Sequence, residues 1–434
     1  MVLIDKEPVI KVGLLNGAQT IRMSLEGLFI DEEGRTIAEG DHLISVDGFE
    51  SAQAVSLRHI RPKDFHSSRA TVHDVTIGID FHWERKESQL FQGALLVARD
   101  ERGLTLINEL PIESYLVSVI SSEMSASCPR ELLRAHAVVS RSWLLAQLER
   151  AGASAPKSIA FDDNERIRWY DRENHDGFDV CADDHCQRYQ GVSKAFSEEA
   201  FDAVCDTRGV ALVYGDEICD ARYSKSCGGR TEVFSAAWED RLVPYLTSIY
   251  DGPDEAAGYE MPLTEESSAE RWILSSPAAY CNVNAKEILS RILPGFDQET
   301  TDFYRWRVEY SQDELRSILL ARAGVDFGRI LSLDPIERGE SGRIIRLRIT
   351  GEKRTLIIGK ELEIRRALSR SHLYSSAFVV ERIGEGEYFQ LTGAGWGHGV
   401  GLCQIGAAVM AERGHTHEEI LAHYFRRATL KRLY

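Results

Sequence analysis

Long apolar runs are missing from this chain of 434 residues. A membrane-spanning helix needs about 18 or more consecutive apolar residues, and no stretch approaches that length. We therefore expect no membrane span. The first residues, MVLIDKEPVIKVGLL, include acidic residues among their first charges, and no basic segment leads into an apolar one. This pattern differs from that of a signal peptide, so we expect no export signal in this segment.

Positive charge is also in short supply, with 51 Lys and Arg residues against 68 Asp and Glu residues and a net charge of -17. Nucleic-acid binding usually depends on clustered Lys and Arg side chains, so we expect no nucleic-acid partner. Cysteine is sparse, because eight residues in a chain of this length do not make a disulfide scaffold. Only Cys181 and Cys186 lie close enough in sequence to suggest a local site.

The opening third of the chain alternates apolar and polar residues, as in TIRMSLE, and turn-forming segments such as LNGAQ interrupt it. A period of two predicts antiparallel strands. From Leu110 onward the spacing becomes helical, first in PIESYLVSVISS and then between Pro129 and Gly152, where Arg141 falls on the apolar face. Residues 153–176 are polar, which predicts a surface connection.

Residues 263–375 combine helical segments such as SQDELRSILLARAG with strand-like segments such as GRIIRLRIT. This content is sufficient for a subdomain. We therefore predict an α+β fold with a mostly antiparallel β core, a helical catalytic segment and a second, smaller α+β subdomain. Residues 1–262 together with 376–434 form the predicted core, and 263–375 form the accessory subdomain. We expect a ligand-binding cleft between the two.

Glu123 is a single carboxylate where an apolar run ends, in the segment SSEMSASCP, which we predict to be a loop between two helices. A glutamate in a loop is usually a solvated residue without a chemical role. A general acid would instead need a pocket that lets it hold its proton near neutral pH. The apolar run before Glu123 is compatible with partial burial, and both interpretations stay open on the residues alone.

Two cysteines and two histidines lie close together in HDGFDVCADDHCQRY: His175, Cys181, His185 and Cys186. Thiolate and imidazole are preferred ligands of Zn²⁺, and four of them can complete a tetrahedral site. The spacing matches no zinc-finger pattern closely. Two buried thiols and two surface imidazoles are the alternative.

A glycine-rich segment runs from Thr392 to Gly414 and alternates glycine with Trp396 and His398. Glycine at this density indicates tight turns or a backbone that approaches a ligand closely. A phosphate-binding loop would usually carry a lysine, whereas an aromatic ring and an imidazole suit a sugar. The alternative is a packed turn with a core histidine.

Tyr223 and Lys225 fall on the same face of a predicted strand in ARYSKSCGGRTE. They are either functional side chains or the plain edge of an amphipathic strand. A cysteine protease using Cys227 or Cys403 with His398 is also conceivable, although the spacing singles out none of these residues.

Taken together, these segments resemble the stage II sporulation protein D family, which includes the amidase-enhancer proteins. The resemblance covers nearly the whole chain and rests on four motifs in the family's order. They are INELPIESYLVSVISSEM with CPRELLRAHAVVSRSWLL, then DVCADDHCQRYQG, then RYSKSCGGRTE with VPYLTSIYD, and finally GAGWGHGVGLCQIGAAVMAERG. The chain departs from the family at Cys128, near which an aromatic residue is typical, and at Cys403, where serine is frequent.

The resemblance implies a lytic transglycosylase that cleaves the MurNAc–GlcNAc bond of peptidoglycan glycan strands, preferably strands stripped of stem peptides, and forms 1,6-anhydro products. It maps the catalytic acid/base onto Glu123 and further essential residues onto Arg141, Tyr223 and Lys225. It implies Zn²⁺ at His175, Cys181 and Cys186, with His185 or water as the fourth ligand. The substrate-binding residues expected in the last motif are Trp396, Gly397, His398, Gly399 and Gln404.

A second hypothesis is a non-catalytic amidase enhancer that binds glycan and activates a partner cell-wall amidase. The joint presence of Glu123, Arg141, Tyr223 and Lys225 favours the enzyme, because a pure binder does not need an acid. A peptidoglycan substrate implies an extracytoplasmic or wall-facing location, which is at odds with the expected absence of an export signal.

Overall fold

A computed structural model describes most of the chain. The described residues are 4, 6–49, 57–78, 85–125, 127–150, 159–162, 164–169, 175, 177–183, 185–192, 197–253, 262–283, 286–292 and 300–434. The fold is α+β with several mostly antiparallel sheets, which confirms the predicted class. No helix within the described ranges is long and apolar enough to cross a membrane.

The strands and helices are numbered here in chain order. The strands are β1 (Val9–Ala18), β2 (Thr20–Glu26), β3 (Phe29–Ile30), β4 (Thr36–Ile37), β5 (Gly40–Ser45), β6 (His59–Pro62), β7 (Arg69–Ile77), β8 (Arg85–Phe91), β9 (Ala94–Asp100), β10 (Gly103–Pro111), β11 (Ile159–Phe161), β12 (Glu165–Arg168), β13 (Val180–Cys181), β14 (Val210–Tyr214), β15 (Glu217–Ile218), β16 (Tyr223–Ser224), β17 (Arg305–Ser311), β18 (Ile330–Arg338), β19 (Ile344–Gly351), β20 (Thr355–Gly359), β21 (Phe378–Ile383), β22 (Tyr388–Ala394), β23 (Leu402–Cys403) and β24 (Thr429–Arg432). The helices are α1 (Ile112–Glu123), α2 (Arg130–Glu149), α3 (Glu198–Asp206), α4 (Phe234–Ala237), α5 (Glu266–Leu274), α6 (Lys286–Ile292), α7 (Gln312–Ala323), α8 (Glu361–Ala367), α9 (Gln404–Glu412) and α10 (His417–Tyr424).

The N-terminal third forms two sheets, as its alternating pattern predicts. One sheet has the strand order β13-β1-β10-β9-β6-β3-β4, and the other has the order β5-β2-β7-β8. In β2 the side chains of Ile21, Met23 and Leu25 are buried, and the polar residues between them are half-buried or exposed. Successive side chains of a strand point to opposite faces, so this alternation places one apolar face on the core.

Helices α1 and α2 follow directly after β10 and pack against each other. Helix α2 begins after Pro129, which matches the preference for proline at helix starts. It is buried along most of its length because α1, α3, α9, α10 and β14 all contact it. Gly152, the expected end of this helix, lies outside the described residues, and the helix ends at Glu149.

A second hydrophobic cluster draws its buried side chains from Trp306 to Leu391. It lies between the sheet β11-β12-β20-β19-β18, the sheet β17-β22-β21 and the helices α7 and α8. The main cluster draws on Ile10 to Tyr304 and on Val400 to Leu433. The chain boundaries at 262/263 and 375/376 stay a prediction.

The polar segment 153–176, expected to be a surface connection, contributes β11 and β12 to the sheet of the second cluster. Strand β12 pairs in parallel with β20, from Glu165 opposite Ile357 to Ile167 opposite Gly359. Backbone hydrogen bonds hold β12 beside β20, and the pattern of apolar and polar side chains in this segment does not predict that pairing. The expectation was wrong for these residues.

Candidate active site

A groove of about 1380 Å³ lies between the two hydrophobic clusters. Its walls include Glu123 from α1 and Tyr310 and Tyr374 from the second cluster. The predicted site residues that line it are Glu123, His175, Cys181, His185, Cys186, Tyr223, Lys225, Trp396, Gly397, His398 and Gln404. The fold therefore brings together residues from four distant motifs.

Glu123 is the last residue of α1, where the sequence predicted a loop, and its side chain is half-buried. Its Oε1 accepts a hydrogen bond from the backbone N–H of Arg188 at 3.3 Å. The helix ends because Met124 adopts an extended conformation. A helix end and a backbone donor thus position the carboxylate at the groove.

Tyr223 in β16 and Lys225, which follows this strand directly, both line the groove. Strand β16 pairs in parallel with β23, and Tyr223 lies opposite Leu402. The ring of Tyr223 packs edge-on against the buried ring of His136, with centroids 4.5 Å apart. Gln404 follows β23 directly and its Nε2 lies 2.9 Å from His136 Nε2. The buried His136 therefore contacts both Tyr223 and Gln404 and helps to position their side chains.

His136 was not singled out from the sequence, where it is one residue in a long helical segment. Burial lowers its pKa to about 4, and the charge of Lys225 acts in the same direction while Glu123 opposes it. Because the Gln404 amide donates to Nε2, the neutral ring carries its proton on Nδ1, 3.2 Å from Ser140 Oγ. The imidazole is a fixed, uncharged support.

A pH dependence of stability follows from this depressed pKa. The His136 contribution is fully present above the unfolded pKa of about 6.5 and is lost as the pH falls toward the folded value of about 4. Between about pH 7.5 and about pH 5 the loss should be about 2 kcal/mol. His136→Gln should remove this part of the pH dependence in denaturant unfolding experiments, whereas His66→Gln, at an exposed position, should keep it. If the free energy of unfolding changes equally with pH in His136→Gln and in the wild type, the assignment to His136 is wrong.

Trp396 lies in an aromatic platform at the groove. Its ring stacks on Tyr374 with centroids 4.2 Å apart and an interplanar angle of 25°, and it also contacts Phe303 at 4.7 Å. All three residues line the groove. Tyr374 and Phe303 carry no sequence signal, because only the fold brings them to Trp396.

The glycine-rich segment makes a tight loop at Gly397, which has a φ of +95°. A side chain there would place its Cβ 3.0 Å from Cβ of Ser224, so the loop approaches β16 closely. Arg343, fully buried, donates to the Gly397 carbonyl from Nε at 3.2 Å and from Nη2 at 3.1 Å. Gly399 lies away from the groove lining, and its carbonyl accepts from the backbone of Glu232.

His398 lines the groove but is held by its own loop. Its Nδ1 accepts from the Val400 backbone N–H at 3.0 Å, and its ring packs edge-on against Trp238. Burial lowers its pKa well below the usual value, as do the charges of nearby arginines, and a backbone hydrogen bond to Tyr223 opposes them. The ring is therefore neutral and fixes the loop against β16.

The donor atoms of His175, Cys181, His185 and Cys186 all lie within 4.8 Å of one another. His175 Nε2 is 3.3 Å from Cys186 Sγ, and His185 Nδ1 is 3.8 Å from Cys181 Sγ. Sulfur and nitrogen ligands around a tetrahedral Zn²⁺ ion lie about 3.6 Å apart. These four residues, called the groove cluster below, can hold a metal ion.

Electrostatics within the groove cluster favour a thiolate. Hydrogen bonding with Cys186 lowers the pKa of Cys181 to about 2, and His175 and His185 act in the same direction against the effect of burial. Thiolate is the form of cysteine that binds metals. Arg188, two residues after Cys186, donates its N–H to Glu123, so this segment also positions the carboxylate.

Arg141 is the predicted catalytic residue that the structure does not bring to the groove. Its side chain is fully buried and pairs with Glu113 through two hydrogen bonds, of 2.9 Å from Nε and 2.7 Å from Nη2. Its Nη1 donates to the Val210 carbonyl at 3.0 Å. Glu113 also accepts from the Gly209 N–H and the Tyr434 hydroxyl. The guanidinium thus ties α1, α2, β14 and the C-terminal segment together.

Two family models match the chain. One is described as stage II sporulation protein and covers residues 100–214, which include Glu123 and Arg141. The other is a domain of unknown function (DUF8618) and covers residues 232–401, which include Arg343 and the aromatic platform.

Curated relatives extend the similarity beyond these segments. The amidase enhancer of Bacillus subtilis is 26% identical over 327 residues, which are 73% of this chain and 40% of that protein. Stage II sporulation protein D of Bacillus subtilis is 23% identical over 321 residues, 74% of each chain. Its counterpart in Bacillus amyloliquefaciens is 24% identical over 323 residues, also 74% of each chain. Residues 100–214 thus carry a stage II sporulation protein domain, and about three quarters of the chain is similar to stage II sporulation protein D and amidase-enhancer proteins.

Proposed function

We propose that this protein is a peptidoglycan lytic transglycosylase that uses Glu123 as its acid and base. The stage II sporulation protein domain at residues 100–214 and the similarity to an amidase enhancer support a function in cell-wall processing. The observation that carries this proposal is the position of Glu123 in the lining of a groove that Tyr223, Lys225 and the platform of Trp396 also line.

One carboxyl group is sufficient for this reaction. In a lytic transglycosylase the nucleophile is the C6 hydroxyl of the sugar itself, so the second carboxylate that most glycosidases use is dispensable. Protonated Glu123 donates its proton to the bridging oxygen as the bond from C1 to that oxygen breaks. The Glu123 carboxylate then takes the proton of the C6 hydroxyl as O6 bonds to C1, which closes the 1,6-anhydro ring and restores the acid.

The charged side chains of the groove favour an anionic glycan as the substrate. The chain as a whole has a net charge of -17, yet the described lining residues include more basic than acidic side chains. The basic ones are Arg168, Arg188, Arg222, Lys225, Arg365 and Arg366, and the acidic ones are Glu123 and Asp183. Arg222, Arg365 and Arg366 pair with Asp220, Glu361 and Glu363, which lie outside the lining, so their charge is partly neutralised. A strand without stem peptides carries a free lactyl carboxylate on each MurNAc, which such a groove attracts.

Aromatic and polar side chains suit the sugar rings of this strand. The platform of Trp396, Tyr374 and Phe303 offers apolar ring surface, and the Tyr223 hydroxyl and Lys225 ammonium can donate hydrogen bonds to sugar hydroxyls. Lys225 also supplies positive charge near the carboxylate that forms when Glu123 gives up its proton.

The product identifies the reaction. Purified protein incubated with denuded glycan strands should release 1,6-anhydromuramoyl products, which mass spectrometry distinguishes from reducing-end sugars by the loss of one water. Reducing-end products would show a hydrolase and would contradict the transglycosylase proposal.

The groove cluster suits Zn²⁺, with His175, Cys181, His185 and Cys186 as ligands. A bound ion would supply positive charge and fix the segment whose backbone positions Glu123. The Cys181→Ser, Cys186→Ser variant should lose one equivalent of zinc in elemental analysis and cleave glycan more slowly, because Arg188 N–H loses its fixed position. Cys205→Ser, at an exposed cysteine, is the matched control and should keep its metal. An unchanged zinc content in the double variant would contradict this ligand assignment.

The alternative function is that of an amidase enhancer, which the similarity to the amidase enhancer of Bacillus subtilis supports. In that case the groove binds glycan and presents it to a partner cell-wall amidase without cutting. The protein would then sediment with insoluble wall material, release no soluble sugar and stimulate an added amidase.

A further inference from the structure

A second group of metal-ligating side chains lies outside the groove lining. Three thiols and one carboxylate come together there with side-chain donor atoms within 4.8 Å of one another. We call them the buried cluster: Cys227, Asp251, Cys281 and Cys403. Cys227 is 3% exposed and the other three are 0% exposed. All eight cysteines of the chain lie in described segments and are free thiols, so the sulfurs of the buried cluster are available as ligands.

The spacing within the buried cluster fits a tetrahedral ion. Cys227 Sγ lies 3.6 Å from Cys281 Sγ and 3.1 Å from Asp251 Oδ2. Two sulfur ligands of Zn²⁺ at about 2.3 Å lie about 3.8 Å apart, and a sulfur and an oxygen ligand lie about 3.5 Å apart. Small side-chain movements therefore bring these donors to bonding distance of one ion.

The surroundings orient the carboxylate toward the thiols. Asp251 Oδ1 accepts from the Tyr424 hydroxyl at 2.7 Å and lies 3.5 Å from His423 Nε2. Oδ2 is the oxygen that faces Cys227. Residues that fix a ligand from outside in this way are a regular feature of metal sites. A side chain at Gly406 would bring its Cβ within 2.5 Å of both the Tyr424 hydroxyl and Asp251, so the close approach of α9 requires glycine.

The surroundings also hold one of the sulfur atoms in place. Cys403 Sγ accepts from the backbone N–H groups of Cys227 at 3.3 Å and Gly406 at 3.4 Å. Cys403 is the N-cap residue of α9. The backbone donors and the helix start thus fix the position and orientation of this proposed ligand.

The complete burial of Asp251 favours a bound cation in the buried cluster. A carboxylate that is fully removed from water is costly unless it is paired or bound to a metal. Three sulfur donors and one oxygen donor select a soft, tetrahedral ion such as Zn²⁺ over Mg²⁺ or Ca²⁺. With four protein ligands and no exposed donor, the site has the closed form of a structural centre.

We propose that the buried cluster binds a second divalent metal ion, best suited to Zn²⁺, with a structural role. Cys227 lies two residues after Lys225, and Cys403 lies directly before Gln404. The ion joins the end of β23 and the segment that follows β16 to Asp251 and Cys281, so it holds the segment that contains Tyr223 and Lys225. As ligands of this ion, Cys227 and Cys403 would have no nucleophilic role.

Metal stoichiometry tests the proposal independently of enzymatic activity. The Cys181→Ser, Cys186→Ser variant disables the groove cluster and leaves the buried cluster intact, so it should still contain one equivalent of zinc. After exchange with Co²⁺, this variant should show the near-ultraviolet absorption of several thiolate-to-cobalt bonds. A folded variant that contains no metal would overturn the proposal, as would a disulfide between Cys227 and Cys281 in intact-mass analysis.

The reciprocal variant locates the ion. Cys281→Ser, Cys403→Ser should lose one equivalent of zinc relative to the wild type and melt at a lower temperature. Cys219→Ser, which replaces a buried cysteine outside the buried cluster, should keep the metal content of the wild type. If the reciprocal variant keeps all its zinc, the buried cluster is not a metal site.

Discussion

Replacing Glu123 by glutamine should slow the cleavage of denuded glycan strands by about 10³-fold or more. General acid–base catalysis by one side chain contributes about 10² to 10⁴-fold, and here one residue serves both proton transfers. The amide has the shape of the carboxyl group, and its oxygen can still accept from the Arg188 N–H. The variant should therefore fold and bind glycan like the wild type. Initial rates of 1,6-anhydro product formation measure the effect.

Asp183 provides the matched control, because it is the other carboxylate among the described lining residues. Its Oδ1 accepts from the Gly78 backbone N–H at 3.3 Å, which an asparagine oxygen can also do. Asp183→Asn should keep its rate within a few-fold of the wild type and keep its metal content. Full activity of Glu123→Gln would refute the assigned acid. If the wild-type protein binds glycan but releases no product, this result would favour the amidase-enhancer hypothesis.

The fold class and the main helices could be predicted because local patterns determine them. Alternation in β1 and β2 reflects a sheet with one face on the core, and the helical spacing after Leu110 reflects α1 and α2. Helix ends were less predictable, and Glu123 closes α1 where a loop was expected. Strand β12 was missed because pairing with β20 depends on the backbone.

The residues around the motifs could not be predicted, because tertiary contacts bring them there. Tyr374 and Trp396 stack although 22 positions separate them. Arg343, in the turn between β18 and β19, donates to the Gly397 carbonyl. His136 lies 268 positions from Gln404. No spacing in the chain relates such pairs. The buried cluster joins residues as far apart as Cys227 and Cys403, whereas the groove cluster was visible because its ligands are close in sequence.

Arg141 is a motif residue whose side chain lies in the core, where it pairs with Glu113. Its partner Glu113 lies in the first turn of α1, and Glu123 is the last residue of the same helix. Ten residues of helix separate the two carboxylates by about 15 Å along the axis. The ion pair therefore fixes one end of α1, and the other end carries the proposed acid.

Replacing Arg141 by methionine should lower the free energy of unfolding by about 3–5 kcal/mol, because it leaves the Glu113 carboxylate buried without its cation. Chemical denaturation followed by circular dichroism measures the loss. Arg134→Met, on the same helix, removes an arginine that pairs with Glu131 and Asp206 near the surface and should cost less than about 1 kcal/mol. The glycan cleavage rate of folded Arg141→Met should stay within a few-fold of the wild type. A stable but inactive variant would assign Arg141 a direct catalytic role.

The pH dependence of this effect separates the buried ion pair from a general packing defect. Burial by itself would raise the pKa of Glu113, but the hydrogen bond and charge of Arg141 outweigh it and hold this pKa below its usual range. The pair therefore stabilises the wild type above about pH 4.5, and this stability is lost as the pH falls through the depressed value. In Arg141→Met, the burial effect on the pKa of Glu113 is opposed only by the hydrogen bonds from Tyr434 and Gly209, so the carboxylate takes up a proton at a higher pH than in the wild type. The stability difference between the two proteins should be largest near pH 7 and shrink toward about pH 4, and Glu113→Gln in the Arg141→Met background should recover much of the loss at neutral pH. A difference that is constant with pH would mean that lost packing, not the unpaired carboxylate, destabilises the variant.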